Sequence, residues 1–170
     1  ALYSLFRNLR GMLIAKNARV IHSSQNFDGT MWITSPTKIG ISQFEKLYKK
    51  DLIEYGTRLK ELAKRIKSFG ALPIFVTQHK GSYRIKNGQI YGKADQYGQP
   101  ILEDYLGLTA INKVTMKTCH LLKAICIDLA SNINFGDGDY YDSTHTTPTG
   151  SKKIGDYLYQ VLSNLINKKD

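Results

Sequence analysis

Leu72-Pro73-Ile74-Phe75-Val76-Thr77 is a short, almost continuous apolar run. A strand with one solvated face alternates apolar and polar residues, whereas a strand covered on both faces reads as an unbroken apolar run. The stretch therefore reads as a buried parallel strand, with Pro73 at its start, where a missing N–H is tolerated. Ala124-Ile125-Cys126-Ile127-Asp128-Leu129 has the same character and supplies a second strand. Around the two runs the order is helix, strand, helix, strand, loop, helix, the grammar of a three-layer α/β fold with a parallel sheet. Two or three readable strands are few for such a sheet, so the domain is expected to be incomplete over residues 1–170.

The strongest helical pattern precedes the first strand. Phe44, Leu47, Tyr48, Leu52, Tyr55, Leu59, Leu62, Ile66 and Phe69 trace one apolar stripe over about 41–69. Ser42 with Glu45 resembles a capping box, and Gly70 fits the residue after a helix end. Residues 78–100 are rich in Gly, Tyr and Lys, and Asn87-Gly88 between Ile85 and Ile90 predicts a β-hairpin. A helix is expected at about 107–124. After the second strand comes a loop at 130–146, then a helix beginning at Pro148 with Thr147 as its N-cap. Near the N-terminus the spacing predicts a helix over 2–16, a short strand over 18–22 and a surface loop over 23–40.

A chain of 170 residues with 42% hydrophobic content fits one globular domain, and no apolar run approaches the length of a membrane span. The opening residues lack a basic leader and an initiator methionine, and are expected to follow a further N-terminal segment of the same protein. The net charge of +10 would suit a polyanion. Its lysines, however, are spread over helix faces and the tail Lys168-Lys169, so nucleic acid is not the expected partner. Cys119 and Cys126, in a helical and a strand-like stretch, read as two buried apolar thiols. No Cys and His set has zinc-ligand spacing.

The loop before Pro148 carries the chemistry. Asp142-Ser143-Thr144-His145 places a carboxylate and an imidazole three positions apart, where the acid can accept from one ring nitrogen and leave the other to face a nucleophile. In open α/β sheets ligands bind outside the carboxyl ends of the strands, which is where this loop falls. The block Tyr140–Gly155 resembles the last conserved block of the SGNH (GDSL-type) hydrolases, Asp-x-x-His ahead of the final helix. The helix, the strand ending at Thr77 and the strand ending at Asp128 match the preceding units of that family in type and order, over about residues 41–165.

The resemblance implies a flavodoxin-like α/β/α sheet, of which this single domain is the C-terminal part. It also implies a serine esterase of carbohydrate or lipid esters, working without cofactor or metal. Asp142 and His145 would be the acid and the general base of its triad. The Gly-Asp-Ser, glycine and Gly-x-Asn-Asp blocks of the family have no counterpart here, so the serine is expected outside this chain, which alone should be nearly inert. Gln78 and His79, at the end of the first strand, are expected to contact substrate. The substrate is expected to be a small-molecule or glycan ester, and the polar, aromatic loops lean towards O-acetyl removal from a glycan.

Other readings remain open. Ser23 or Ser24 would be the nucleophile of an intact but divergent hydrolase. Asp142 could simply cap a turn, in a non-catalytic binding module whose basic surface takes polyanions. Asp137 and Asp139 beside Asp142 lack the later ligands of a calcium loop. Trp32, Tyr83, Tyr91 and Tyr97 could stack on a sugar ring or pack locally, and His22 and His120 read as structural.

Overall fold

The computed structural model describes residues 10, 27, 29–35 and 40–166. Arg10 apart, the helix expected over 2–16 lies outside these residues, as do the strand at 18–22, His22, Ser23, Ser24 and the tail Lys168-Lys169.

The fold is mixed α/β with two separate sheets. β2 (Ile74–Val76) and β6 (Ile125–Ile127) form a parallel pair, with Phe75 opposite Cys126. Both apolar runs thus become strands, shorter than the runs themselves. The second sheet is antiparallel: β1 (Trp32–Thr34) and β3 (Tyr83–Lys86) flank β4 (Gln89–Ala94), which also pairs with β5 (Pro100–Ile101). Asn87 and Gly88 both take positive φ, 51° and 75°, which matches the right-handed twist of a two-residue hairpin turn. Two strands of this sheet escape sequence reading. Residues 32–34 lie in the stretch read as a surface loop, and 100–101 carry no strand pattern. Both are too short for periodicity to register, and their order comes from backbone pairing to β4.

The helical stripe over 41–69 is two helices, α1 (Ile41–Leu47) and α2 (Lys49–Ser68), broken at Tyr48. The expected capping box is absent: α1 starts at Ile41 after Gly40, with no side-chain cap, and Ser42 lies inside the helix. The end of α2 follows the sequence. Gly70 has φ 74°, its N–H donates to the Lys67 carbonyl, and the Ala71 N–H donates to Ile66. That is a Schellman closure, which needs a left-handed residue at this point. α3 (Glu103–Leu121) begins four residues earlier than expected, and its first turn carries Glu103 and Asp104, favourable at the positive end of the helix dipole. α4 (Leu129–Asn132) is a single turn after β6, and α5 (Pro148–Ile166) closes the described chain. The Thr147 Oγ1 accepts from the Gly150 N–H at 3.2 Å, the N-cap expected there, worth about 1 kcal/mol in such positions.

Two clusters hold the molecule together. Ala63, Phe75 and Cys119 form one, joined by Leu59, Leu122 and Ala124. Leu129, Phe135 and Tyr140 form the other, joined by Val76, Ile154, Tyr157 and Leu158. Phe75 and Val76 are successive strand residues and so point to opposite faces; one feeds each cluster.

The two cysteines depart from expectation. They are not separate thiols: Cys119 and Cys126 form a disulfide with Cα atoms 5.8 Å apart. The reversal at 122–124, with Lys123 at φ 50°, turns the end of α3 straight into β6 and brings residues seven positions apart within bonding reach. Helix-to-strand spacing alone does not reveal so sharp a turn.

Candidate active site

Tyr140 to Thr146 forms a closed loop. Tyr140 and Thr146 make an antiparallel bridge, the Tyr141 N–H donates to the His145 carbonyl at 2.8 Å, and the Thr147 N–H donates to Asp139 at 2.9 Å. Asp142 organises its interior. Its Oδ1 accepts the backbone N–H groups of Thr144 and His145, each at 2.7 Å, and its Oδ2 lies 2.7 Å from His145 Nδ1. The turn-capping role and the imidazole contact, alternatives in the sequence, are carried by different oxygens of one carboxylate. The His145 N–H above all, then the His145 ring and the Thr144 N–H, hold this carboxyl down at about 2. Asp142 is therefore anionic at any ordinary pH. A carboxylate facing Nδ1 favours the tautomer with the proton on that atom, which makes Nε2 the basic nitrogen.

The pair sits at the surface, with side-chain exposures of 52% for His145 and 36% for Asp142. Exposed ion pairs contribute roughly 0–1 kcal/mol to stability. Holding the fold together is thus a weak reason for so constrained a geometry.

The loop is braced from two sides. Gly81 donates its N–H to the Ser143 carbonyl at 2.8 Å, and a Cβ on Gly81 would overlap the Asp142 carbonyl and the Tyr140 ring. On the other side Gly150, in the first turn of α5, lies so close to the Asp139 carbonyl that a side chain there would overlap it. Buried Asp139 accepts from the Gly136 N–H and from Lys153 Nζ, both at 2.6 Å. Asp137 pairs with Arg84 Nε at 3.0 Å. The three aspartates read together in the sequence thus have separate basic partners: Arg84, Lys153 and His145. Among the described residues no group of three or more His, Cys, Asp or Glu side chains could hold a metal ion.

Gln78 and His79 occupy different settings. The Gln78 backbone is clamped by Asn112 of α3, which accepts its N–H at 2.9 Å and donates to its carbonyl at 2.7 Å; the Gln78 side chain is exposed. His79 is half-buried in an aromatic group, with ring centroids 4.4 Å from Tyr83 and 4.7 Å from Phe135. Tyr140 Oη donates to the His79 carbonyl at 3.2 Å and lies 3.3 Å from Nδ1. Burial, then the nearby Arg84 charge, lower the His79 imidazole to about 4, so it is neutral at pH 7. His79 reaches the Asp142 loop through Tyr140, whereas Gln78 is held to α3.

Several residues of this region carry no signal in the sequence. Arg84 is 1% exposed; its NH1 donates to the carbonyls of Gly81 and Tyr83, and its guanidinium stacks 4.2 Å from the Trp32 ring. Lys80 and Ser82 both donate to Asp104 at the start of α3. At the carboxyl ends of β2 and β6, Thr77 donates to Asp128 at 2.8 Å and accepts from the Ala130 N–H at 2.9 Å. These two residues, with Tyr105 and Asn112, line a cleft of about 410 Å³. Asp142 and His145 do not line that cleft. Of the four aromatics marked for stacking, Tyr83 is buried, Trp32 packs on Arg84, Tyr91 donates to Gln89, and Tyr97 is 78% exposed.

No family model matches the chain, and no curated protein or solved structure matches it.

Proposed function

We propose that the chain carries the acid–histidine part of an SGNH-type serine esterase acting on a carbohydrate or lipid ester. One observation carries this reading: the 2.7 Å contact between Asp142 and His145 Nδ1, on a loop fixed by backbone bonds immediately before the Pro148 helix. In that role His145 Nε2 takes the proton of a serine hydroxyl as the oxygen attacks the ester carbonyl, and returns it to the departing alkoxide. Asp142 holds the tautomer and offsets the imidazolium charge. The serine and the oxyanion donors come from a segment of the protein outside these 170 residues, and no cofactor or metal takes part.

The fold that goes with this function is a larger three-layer, flavodoxin-like sheet containing the β2–β6 pair. Its support is the pair of clusters on opposite faces at Phe75 and Val76, and the exposed Ile74 at the start of β2 with exposed Phe69 and Leu72 ahead of it. Among the described residues β2 pairs with β6 alone.

The test is mass spectrometry after reaction with a fluorophosphonate, on the 170-residue chain and on protein made from the whole reading frame, alongside hydrolysis of p-nitrophenyl acetate. The expected result is a single serine adduct in the longer protein and none in the shorter. His145→Ala in the longer protein is expected to lower kcat/KM by at least ~10³-fold. Turnover at the unsubstituted level in His145→Ala would sink the assignment, and a label on Ser23 or Ser24 would replace it with a divergent enzyme complete in this chain.

A further inference from the structure

On the face of the molecule formed by α2 and α3 runs a groove of about 450 Å³. Leu52, Ile53 and Gly56 of α2 and Val114 and Leu121 of α3 supply its apolar lining. Gly56 is buried, and a Cβ there would stand 3.3 Å from Val114 Cγ1, so the helices approach closely at this point and leave a concave trough above it. The trough is apolar and open: Ile53 is 60% and Leu121 65% exposed. Both helices add lysines to the lining, Lys49 and Lys60 from α2 and Lys113 and Lys117 from α3. Glu45 at one end pairs with Lys113 at 2.8 Å. Among the described residues, Lys49, Lys60 and Lys117 have no carboxylate within 4.0 Å. From Lys49 to Lys60 the trough spans about 16 Å, three helical turns.

We propose that this groove docks an amphipathic helix of a partner protein whose apolar stripe is flanked on both sides by acidic residues. Helix-in-groove recognition needs an apolar trough a few turns long, and the lysines contributed by both helices fix the charge of the occupant. A fatty acid brings one anion at one end, whereas these lysines come from both helices and are spread along the groove. A lipid surface is flat, whereas this one is concave. A second copy of the chain carries a like charge of +10. The proposal is independent of the esterase reading and involves none of its residues.

The probe is a fluorescein-labelled peptide of about 18 residues, five turns, with leucines at i, i+3, i+4 and i+7 and glutamates on either side. Its anisotropy is titrated with the whole 170-residue chain. Saturable binding is expected, weakening as salt screens the lysines, and falling about tenfold or more in Lys49→Glu/Lys60→Glu. A peptide with the same leucines flanked by lysines is expected not to bind. The salt series uses the unsubstituted chain, so it holds whether or not the variant folds. Equal binding of the acidic and basic peptides, or binding indifferent to salt, would overturn the proposal. Binding of phosphatidylcholine–phosphatidylserine vesicles in place of the peptide, with the same loss in the double variant, would overturn it in favour of a membrane surface.

Discussion

Single residues in and around the candidate site do more than one job. Asp142 caps its own turn with one oxygen and holds an imidazole with the other. His79, expected at the substrate, packs among rings and ties to Tyr140. Its lowered pKa has a consequence for the fold. The unfolded chain binds a proton at the ordinary value of 6.5, whereas the folded chain does so only near about 4. Between those values the unfolded state therefore holds more protons, so this residue makes stability rise with pH across that window and has no effect above it. Replacing His79 with Phe is expected to flatten the stability profile between about pH 4 and 6.5, read from urea midpoints. An unchanged slope would show that His79 is not the group that titrates there. Gly81 makes a second case at this scale. Its N–H holds the Ser143 carbonyl, and its missing side chain lets the Asp142 backbone approach. Gly81→Ala is expected to cost about 1–3 kcal/mol, in the range of overpacked sites, and to shift the His145 ring resonances in a heteronuclear NMR spectrum. Stability and resonances both unchanged would mean that the loop tolerates the methyl group.

Among the elements, sequence reading succeeds where local chemistry dictates geometry. Gly70 ends α2, Asn87-Gly88 turns the hairpin, Thr147 and Pro148 start α5, and the apolar runs become the parallel pair. It fails where the determining partner is distant in sequence. β1 exists because β4 pairs with it, α1 breaks from α2 at Tyr48 without a Pro or Gly, and Ser42 looks like a cap but sits one residue inside a helix that starts at Ile41. The disulfide belongs to the same group, because only the tightness of the 122–124 turn brings its cysteines together. Closing a loop of this length stabilises a fold by about 2–3 kcal/mol in the chain-entropy account. Reduction with a phosphine, or the Cys119→Ala/Cys126→Ala pair, is therefore expected to lower stability by about that much, measured by urea unfolding. A loss within about 0.5 kcal/mol would show that the docking of α3 on β6 already fixes the turn.

For the whole molecule, the candidate acid and base were legible in the sequence because they lie three positions apart on one loop. The brace around them was not, because it draws on two other segments: Gly81 and Arg84 around the start of β3, and Lys153 in α5. Arg84 shows the physical reason. A charged residue in a strand reads as solvent-facing, and only the fold supplies the Asp137, carbonyl and indole contacts that let it be buried. The basic composition resolves in a similar way. Part of it is spread singly over helix faces, and part lines the α2–α3 groove.

The covalent link between Cys119 and Cys126 also bears on how the protein is handled. One sequence can yield two materials: a closed form from an oxidising compartment, and an open form from a cytosol that keeps thiols reduced. Two laboratories using different expression hosts could hold the same plasmid and assay different molecules. A thiol count on each preparation is the step that makes their results comparable.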